Sequence, residues 1–218
     1  MKRIVWIAAA ALIAGGPALA DNPKKGPRAY DVTITNITPG QTFTPILAAT
    51  HKSSISFFKL GDQASPELAE LAESGSTAGL EALLASAPNL VFDTAKTGGL
   101  LGPGESMTIN IRAQGQFVQL SLAGMLIPTN DSFVAVSNMR LPNRSGVYTA
   151  IAYDAGSEFN DELCDNIPGP YCGGAGLSPG SGEGFVHVSS GVHGLADLDA
   201  GTFDWRNPVA YIEIRRAR

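Results

Sequence analysis

Tyr30-Asp31-Val32-Thr33-Ile34-Thr35-Asn36 sets apolar and polar side chains at alternate positions. Side chains of a strand point to opposite faces with a period of two, so Tyr30, Val32 and Ile34 share one face and Asp31, Thr33 and Thr35 the other. The segment predicts a half-buried strand, followed by the turn Thr38-Pro39-Gly40. The same pattern closes the chain at 209–215, with Ala210, Ile212 and Ile214 on one face.

Between these two strands the pattern changes once and then returns. Residues 43–50 and 55–60 are extended candidates. Ser65-Pro66-Glu67 then supplies an N-cap, a proline at the first helical position and an acid in the first turn. Leu68, Ala69, Leu71 and Ala72 make the apolar stripe of that helix, and Gly75 is placed to stop it. A second short helix fits 77–85 with Leu80, Leu83 and Leu84 inward, ended by Ala87-Pro88-Asn89. From there strand signals dominate. Met107, Ile109 and Ile111 alternate, 117–127 reads as a long strand interrupted near Gly124, and 133–136, 147–153 and 185–189 follow. A Gly-rich stretch runs from Asp154 to Glu183. About eight strands separated by turn signals predict a mainly β protein, an antiparallel β-sandwich with a short helical insertion.

The N-terminus bears on compartment. Met1-Lys2-Arg3 is basic, residues 4–14 are apolar, and Ala18 and Ala20 are small residues ahead of Asp21. These are the three parts of a secretory signal, predicted over 1–20 with cleavage after Ala20. The apolar run is shorter than the roughly 20 residues a membrane span needs, and no later segment is long and apolar enough. A polar leader is expected over 21–29 and one β-sandwich domain over 30–218, in the periplasm or secreted.

The 218 residues carry a formal charge of −5, with 44% hydrophobic and 16% charged residues. A chain this apolar is not a disordered one. The acidic balance argues against a nucleic-acid binder, which needs a basic face to neutralise phosphates. Cys164 and Cys172 are the two cysteines. In an oxidising compartment two such close thiols are expected to pair, and a metal site would need more ligands nearby.

The densest polar clusters are Pro128-Thr129-Asn130-Asp131 and the run from Tyr153 to Glu162. Both stand where strands end. Ca²⁺ takes about six to eight oxygen ligands, so oxygens converging from two neighbouring loops suit it. Asp154 and Glu158 flank Gly156, where a tight turn would aim both carboxylates at one point. Acidic loops without any ion are also common.

The stretch Met125-Leu126-Ile127-Pro128-Thr129-Asn130-Asp131-Ser132-Phe133-Val134, followed by Tyr153-Asp154-Ala155-Gly156-Ser157-Glu158, resembles the spondin N-terminal domain. Thr33-Ile34-Thr35-Asn36, Thr50-His51, Phe58-Lys59-Leu60-Gly61, Leu71-Ala72-Glu73-Ser74-Gly75 and Pro208-Val209-Ala210-Tyr211-Ile212-Glu213-Ile214 fall in that family's order. The resemblance implies a β-sandwich related to calcium-dependent membrane-binding sandwich domains of matrix and adhesion proteins. It implies Ca²⁺ bound by Asp131, Asp154 and Glu158, with the region of Asn130 contributing. Glu158 departs from the Asp usual in animal members. The thrombospondin-type repeats of the animal proteins are missing, so a stand-alone, bacterial-type member is expected.

The remaining motifs point to no chemistry. His51, His187 and His193 are read as hydrogen-bonded structural residues. Asp197-Leu198-Asp199-Ala200-Gly201 resembles the start of an EF-hand loop, but Pro208 stands where its twelfth-position Glu belongs. No nucleophile elbow or phosphate-binding loop occurs, and Ser189-Ser190-Gly191 with His193 reads as turn composition. The expected function is an exported, non-catalytic calcium-binding module for adhesion or recognition, with an extracellular or envelope protein or glycan as partner. A metal-dependent hydrolase using the same acidic loops, or a purely structural envelope protein, are the alternatives.

Overall fold

The computed structural model describes residues 26–177 and 182–217. The signal segment 1–20 and the leader as far as residue 25 lie outside the described residues.

The chain forms β1 (Arg28–Asn36), β2 (Thr42–Phe43), β3 (Leu47–His51), α1 (Pro66–Ser74), α2 (Ala78–Ala85), β4 (Val91–Lys96), β5 (Ser106–Ala113), β6 (Gln119–Ile127), β7 (Ser132–Arg140), β8 (Ser145–Asp154), β9 (His187–Val188), α3 (Ala200–Phe203) and β10 (Ala210–Arg216). Eight of the strands run in the order β4-β3-β6-β7-β8-β10-β1-β5, and β2 and β9 pair beside β6 and β8. All pairings are antiparallel. The sheet nearly closes on itself. At its seam the Arg112 backbone N–H donates to Asp93 Oδ2 (2.8 Å) and Thr50 Oγ1 donates to the Arg112 carbonyl (2.6 Å). The mainly β, sandwich-like architecture read from the sequence is the one observed.

Two apolar layers hold it together. The interior layer takes Tyr30, Val32 and Ile34 from β1, Ile109 and Ile111 from β5, and Ile212 and Ile214 from β10. Alternation in these strands therefore reports one buried face, as their patterns suggest. The second layer lies outside the sheet, where Leu68, Leu71, Leu80 and Leu84 pack on Leu47, Ala49, Ala123 and Phe133. Because α1 and α2 cover that outer face, β3 is buried at every position and β6 at all but its first. Each buried leucine removes apolar surface worth roughly 1.5–3 kcal/mol from water.

The helix signals operate as read. Ser65 Oγ accepts from the Leu68 N–H (3.2 Å), and Gly75 adopts φ 71° while its N–H reaches the Leu71 carbonyl (3.0 Å). Three local expectations are corrected. Residues 55–60 form no strand; Phe58 leaves the sheet to stack edge-on against Phe133 and Tyr153, with centroids 5.2 and 4.8 Å away. Leu83 is exposed, since α2 turns only Leu80 and Leu84 inward. Gly124 does not interrupt β6. A Cβ there would lie 2.9 Å from Ile46 Cγ1, so the glycine permits close approach of the chain, and the register shift falls between Leu120 and Leu122. In keeping with the failed EF-hand match, Asp199 is the N-cap of α3 and accepts from the Gly201 N–H.

Candidate metal centre

Antiparallel pairing brings the two acidic segments to one end of the sheet. β7 starts at Ser132 and β8 ends at Asp154, and these two residues face each other across the ladder. Asp131 and Asp154 therefore sit side by side, both almost fully buried. Asp131 Oδ2 accepts from the Ser157 N–H (2.8 Å), the Ser157 hydroxyl (3.2 Å) and the Glu158 N–H (3.1 Å). Its Oδ1 is buried with no hydrogen-bond partner among the described residues. Asp154 Oδ1 accepts from the Gly156 N–H (2.8 Å), and its Oδ2 from Asn160 Nδ2 (2.9 Å).

Burial, and then the neighbouring Asp154 charge, push the Asp131 carboxyl up to about 7. Burial likewise raises Asp154, against the hydrogen bonds from Asn160 and Gly156. Two adjacent buried carboxylates both cost desolvation and repel, and a bound cation would remove both penalties.

Two further ligand types join them that the sequence reading did not select. Asp154, Glu183 and His187 place one ligand atom each within 4.8 Å of one another. The His187 Nδ1 lies 3.0 Å from the Val188 carbonyl, which only accepts, so the proton sits on Nδ1. Nε2 then faces Asp154 Oδ1 at 3.4 Å and Glu183 Oε2 at 3.8 Å. Burial alone would lower the imidazole pKa; the Val188 carbonyl and the Asp154, Glu183 and Asp131 carboxylates outweigh it and raise it. His187 is thus a facing cation or lone pair for the acidic pair, where the sequence reading had it as a structural histidine.

Gly156 makes this assembly possible. It adopts φ 63°, and a Cβ on it would stand 2.3 Å from the Phe185 carbonyl oxygen. Its own carbonyl accepts from the Gly184 N–H (2.8 Å). A positive φ and this close approach both require glycine, and together they lay the 182–187 segment across Asp154. The only sequence trace of it was Glu183 and His187 four residues apart beside a β-like run.

Asn130 and Glu158 meet in an adjoining cluster. Asn130 Nδ2 donates to Glu158 Oε1 (3.3 Å) and Asp161 Oδ1 (3.0 Å), and Asn130 Oδ1 accepts from the Glu162 N–H (3.1 Å). Glu162, buried and at φ 57°, accepts from the His193 and Leu195 N–H groups through its two oxygens. These bonds anchor the long connections that the acidic end depends on. Asp197 accepts from the Cys164 N–H (2.8 Å). Cys164 and Cys172 form the expected disulfide, with Cα atoms 4.7 Å apart.

The other histidines lie elsewhere. Buried His51 hydrogen-bonds the Lys52 carbonyl and the Ser121 hydroxyl, and burial lowers its pKa, in keeping with a neutral structural role. His193 Nε2 is 3.0 Å from the Ser190 hydroxyl on an exposed loop.

The fold is a mainly β, antiparallel sandwich-like domain with two buried carboxylates at one end of its sheet. The Spondin_N family model matches residues 23–158, more than half of the chain, and the protein belongs to that family. The match includes Asn130, Asp131, Asp154 and Glu158 and stops before Glu183, His187 and β10. No curated protein matches the chain. The family is one of recognition and adhesion modules and is generally not enzymatic.

Proposed function

We propose that this protein is an exported, non-catalytic recognition module whose acidic end binds Ca²⁺. The observation that carries the reading is the buried Asp131 Oδ1, left without a partner beside Asp154. Carboxylate oxygens from Asp131, Asp154 and Glu183 are hard donors suited to Ca²⁺. Asn130 and Glu158 stand next to them and supply further oxygens to the same loops. His187 Nε2 faces Asp154 Oδ1 at 3.4 Å, and the neighbouring carboxylates raise its pKa, so the imidazolium form would partly offset their charge.

The ion would order the loops that meet a partner, and the disulfide in the same loop system fits export to an oxidising compartment. No helix among the described residues is long and apolar enough to cross a membrane. A hydrolase would need an open metal position facing a substrate-sized pocket; the buried carboxylate pair favours a closed cage.

Calorimetric titration of chelator-treated protein with Ca²⁺, Mn²⁺ and Zn²⁺ tests this. Saturable Ca²⁺ binding that disappears in Asp131→Asn is expected, because only the folded site binds and stabilises by mass action. A preference for Zn²⁺ that is lost in His187→Gln would replace Ca²⁺ by a metal that uses the imidazole. Indifference to all three ions, or turnover on a hydrolase panel, would sink the proposal.

A further inference from the structure

The opposite end of the sheet carries the other sign of charge. β1 begins there and β3, β5, β7 and β10 end there, as the pairings Arg28↔Ala113, Tyr30↔Arg216, His51↔Gln119 and Gln119↔Arg140 require. A groove of about 550 Å³ opens at this end, lined among others by Arg28, Lys52, Phe92, Gln114, Gln116 and Phe117. We propose that this groove binds an acidic polysaccharide, seating a carboxylate- or sulfate-bearing sugar between Arg28 and Lys52.

Three features support an anion here. Arg28, Lys52, Arg140, Arg144 and Arg216 have no ion pair among the described residues, whereas, of the local acids, Asp93 and Glu213 are engaged by Arg112 and Arg215 and Asp31 accepts from Asn110. Five cations without an ion pair, with Asp31 as the nearby acid not engaged by an arginine, make a localised positive field at one pole of a net-negative protein. One of the two proposed contact residues, Lys52, is also held in place by a ring. The Lys52 ammonium lies 5.2 Å from the Phe117 ring centroid and the Arg112 guanidinium 5.9 Å from that of Phe92, and the two rings are themselves 5.8 Å apart. Such contacts fix a flexible side chain before the ligand arrives. Finally, the wall combines ring surface with the amides of Gln114 and Gln116, which suits the C–H faces and hydroxyls of a sugar.

A polysaccharide fits better than a membrane. Peripheral membrane docking inserts protruding apolar side chains beside the cations, and the strongly exposed apolar residues Phe159, Leu177 and Leu195 do not line this groove. Arg140 and Arg144 extend the positive surface past the groove, as a chain of several charged sugars would use.

Binding is measured on the intact exported protein with a heparin oligosaccharide, polygalacturonate and neutral dextran, at about 50 mM and about 500 mM salt. Binding of at least one acidic polysaccharide is expected, about tenfold or more weaker at the higher salt, with dextran not bound. Arg28→Glu combined with Lys52→Glu should weaken it at least about tenfold, Arg206→Glu should not, and chelator should leave it unchanged, which separates it from the Ca²⁺ site. The Arg28→Gln, Lys52→Gln pair, checked by circular dichroism, serves if the charge reversal fails to fold. No binding at low salt, binding undiminished in a folded double variant, or tighter variant-sensitive binding to phosphatidylglycerol vesicles would each overturn the proposal.

Discussion

The two ends of the sheet concentrate opposite charges, and they do so by different physics. At the acidic end Asp131 and Asp154 are buried side by side, one of them with an oxygen lacking a partner. At the other end the cations stand on strand termini, half-buried or exposed, where water screens them. Like charges in water cost little, so the basic end is stable with or without a ligand. Like charges taken out of water cost several kcal/mol unless compensated, so the acidic end is the one whose stability should respond to an ion. Charge alone would rank the two ends alike; burial separates them.

The largest break in that contrast is expected from Gly156→Ala. The substitution forces a side chain into a positive φ and against the Phe185 carbonyl, which should cost about 3 kcal/mol or more in urea unfolding and abolish the Ca²⁺ response. A near-neutral result would mean that the 182–187 segment does not pack across Asp154.

Next comes pH. Because burial raises Asp131 to about 7, above its unfolded value, its contribution is full at low pH and is lost as pH rises through that range. His187, also raised, acts in the same direction. Chelated protein should therefore lose on the order of 2 kcal/mol between about pH 4.5 and 7.5, and saturating Ca²⁺ should flatten the slope. A metal-free profile that climbs with pH would contradict the buried acidic pair.

Asp131→Asn sharpens the comparison with an opposite sign. Removing one of two adjacent buried charges should stabilise metal-free protein at pH 7.5 by about 1 kcal/mol while eliminating the thermal shift with Ca²⁺. Destabilisation in the absence of metal would show that Asp131 is needed as a charged acceptor for Ser157 and Glu158. The smallest effect belongs to the basic end. Arg112 pairs with Asp93 at 3.1 Å with its side chain largely exposed, so Arg112→Gln should cost under about 1 kcal/mol and leave the Ca²⁺ response intact, as read by parallel melting curves.

What was legible in the sequence was whatever depends on neighbours along the chain. The alternation of β1, β5 and β10 and the Ser65-Pro66 and Gly75 caps of α1 are local rules, and they hold. Strands whose second face is covered lose the signal. β3 is buried at every position and shows no alternation, and the 55–60 run is apolar because Phe57 and Phe58 pack onto the second layer; β4 (Val91–Lys96) was not singled out. Asp131 and Asp154 were found because strand-end acids on adjacent loops stand out in composition and match a family pattern.

Sequence by itself determined the class of fold, the cysteine pair and the two carboxylates at strand ends, since periodicity, spacing and motif are properties of short segments. The tertiary structure alone decided that those carboxylates lose their water, that Glu183 and His187 cross over to them past Gly156, and that the cations at the ends of β1, β3, β7 and β10 gather at the far pole. Each of these depends on antiparallel register and on packing between residues tens of positions apart. Desolvation and through-space charge act over ångströms, and no pattern along the chain records which distant segments end up within reach.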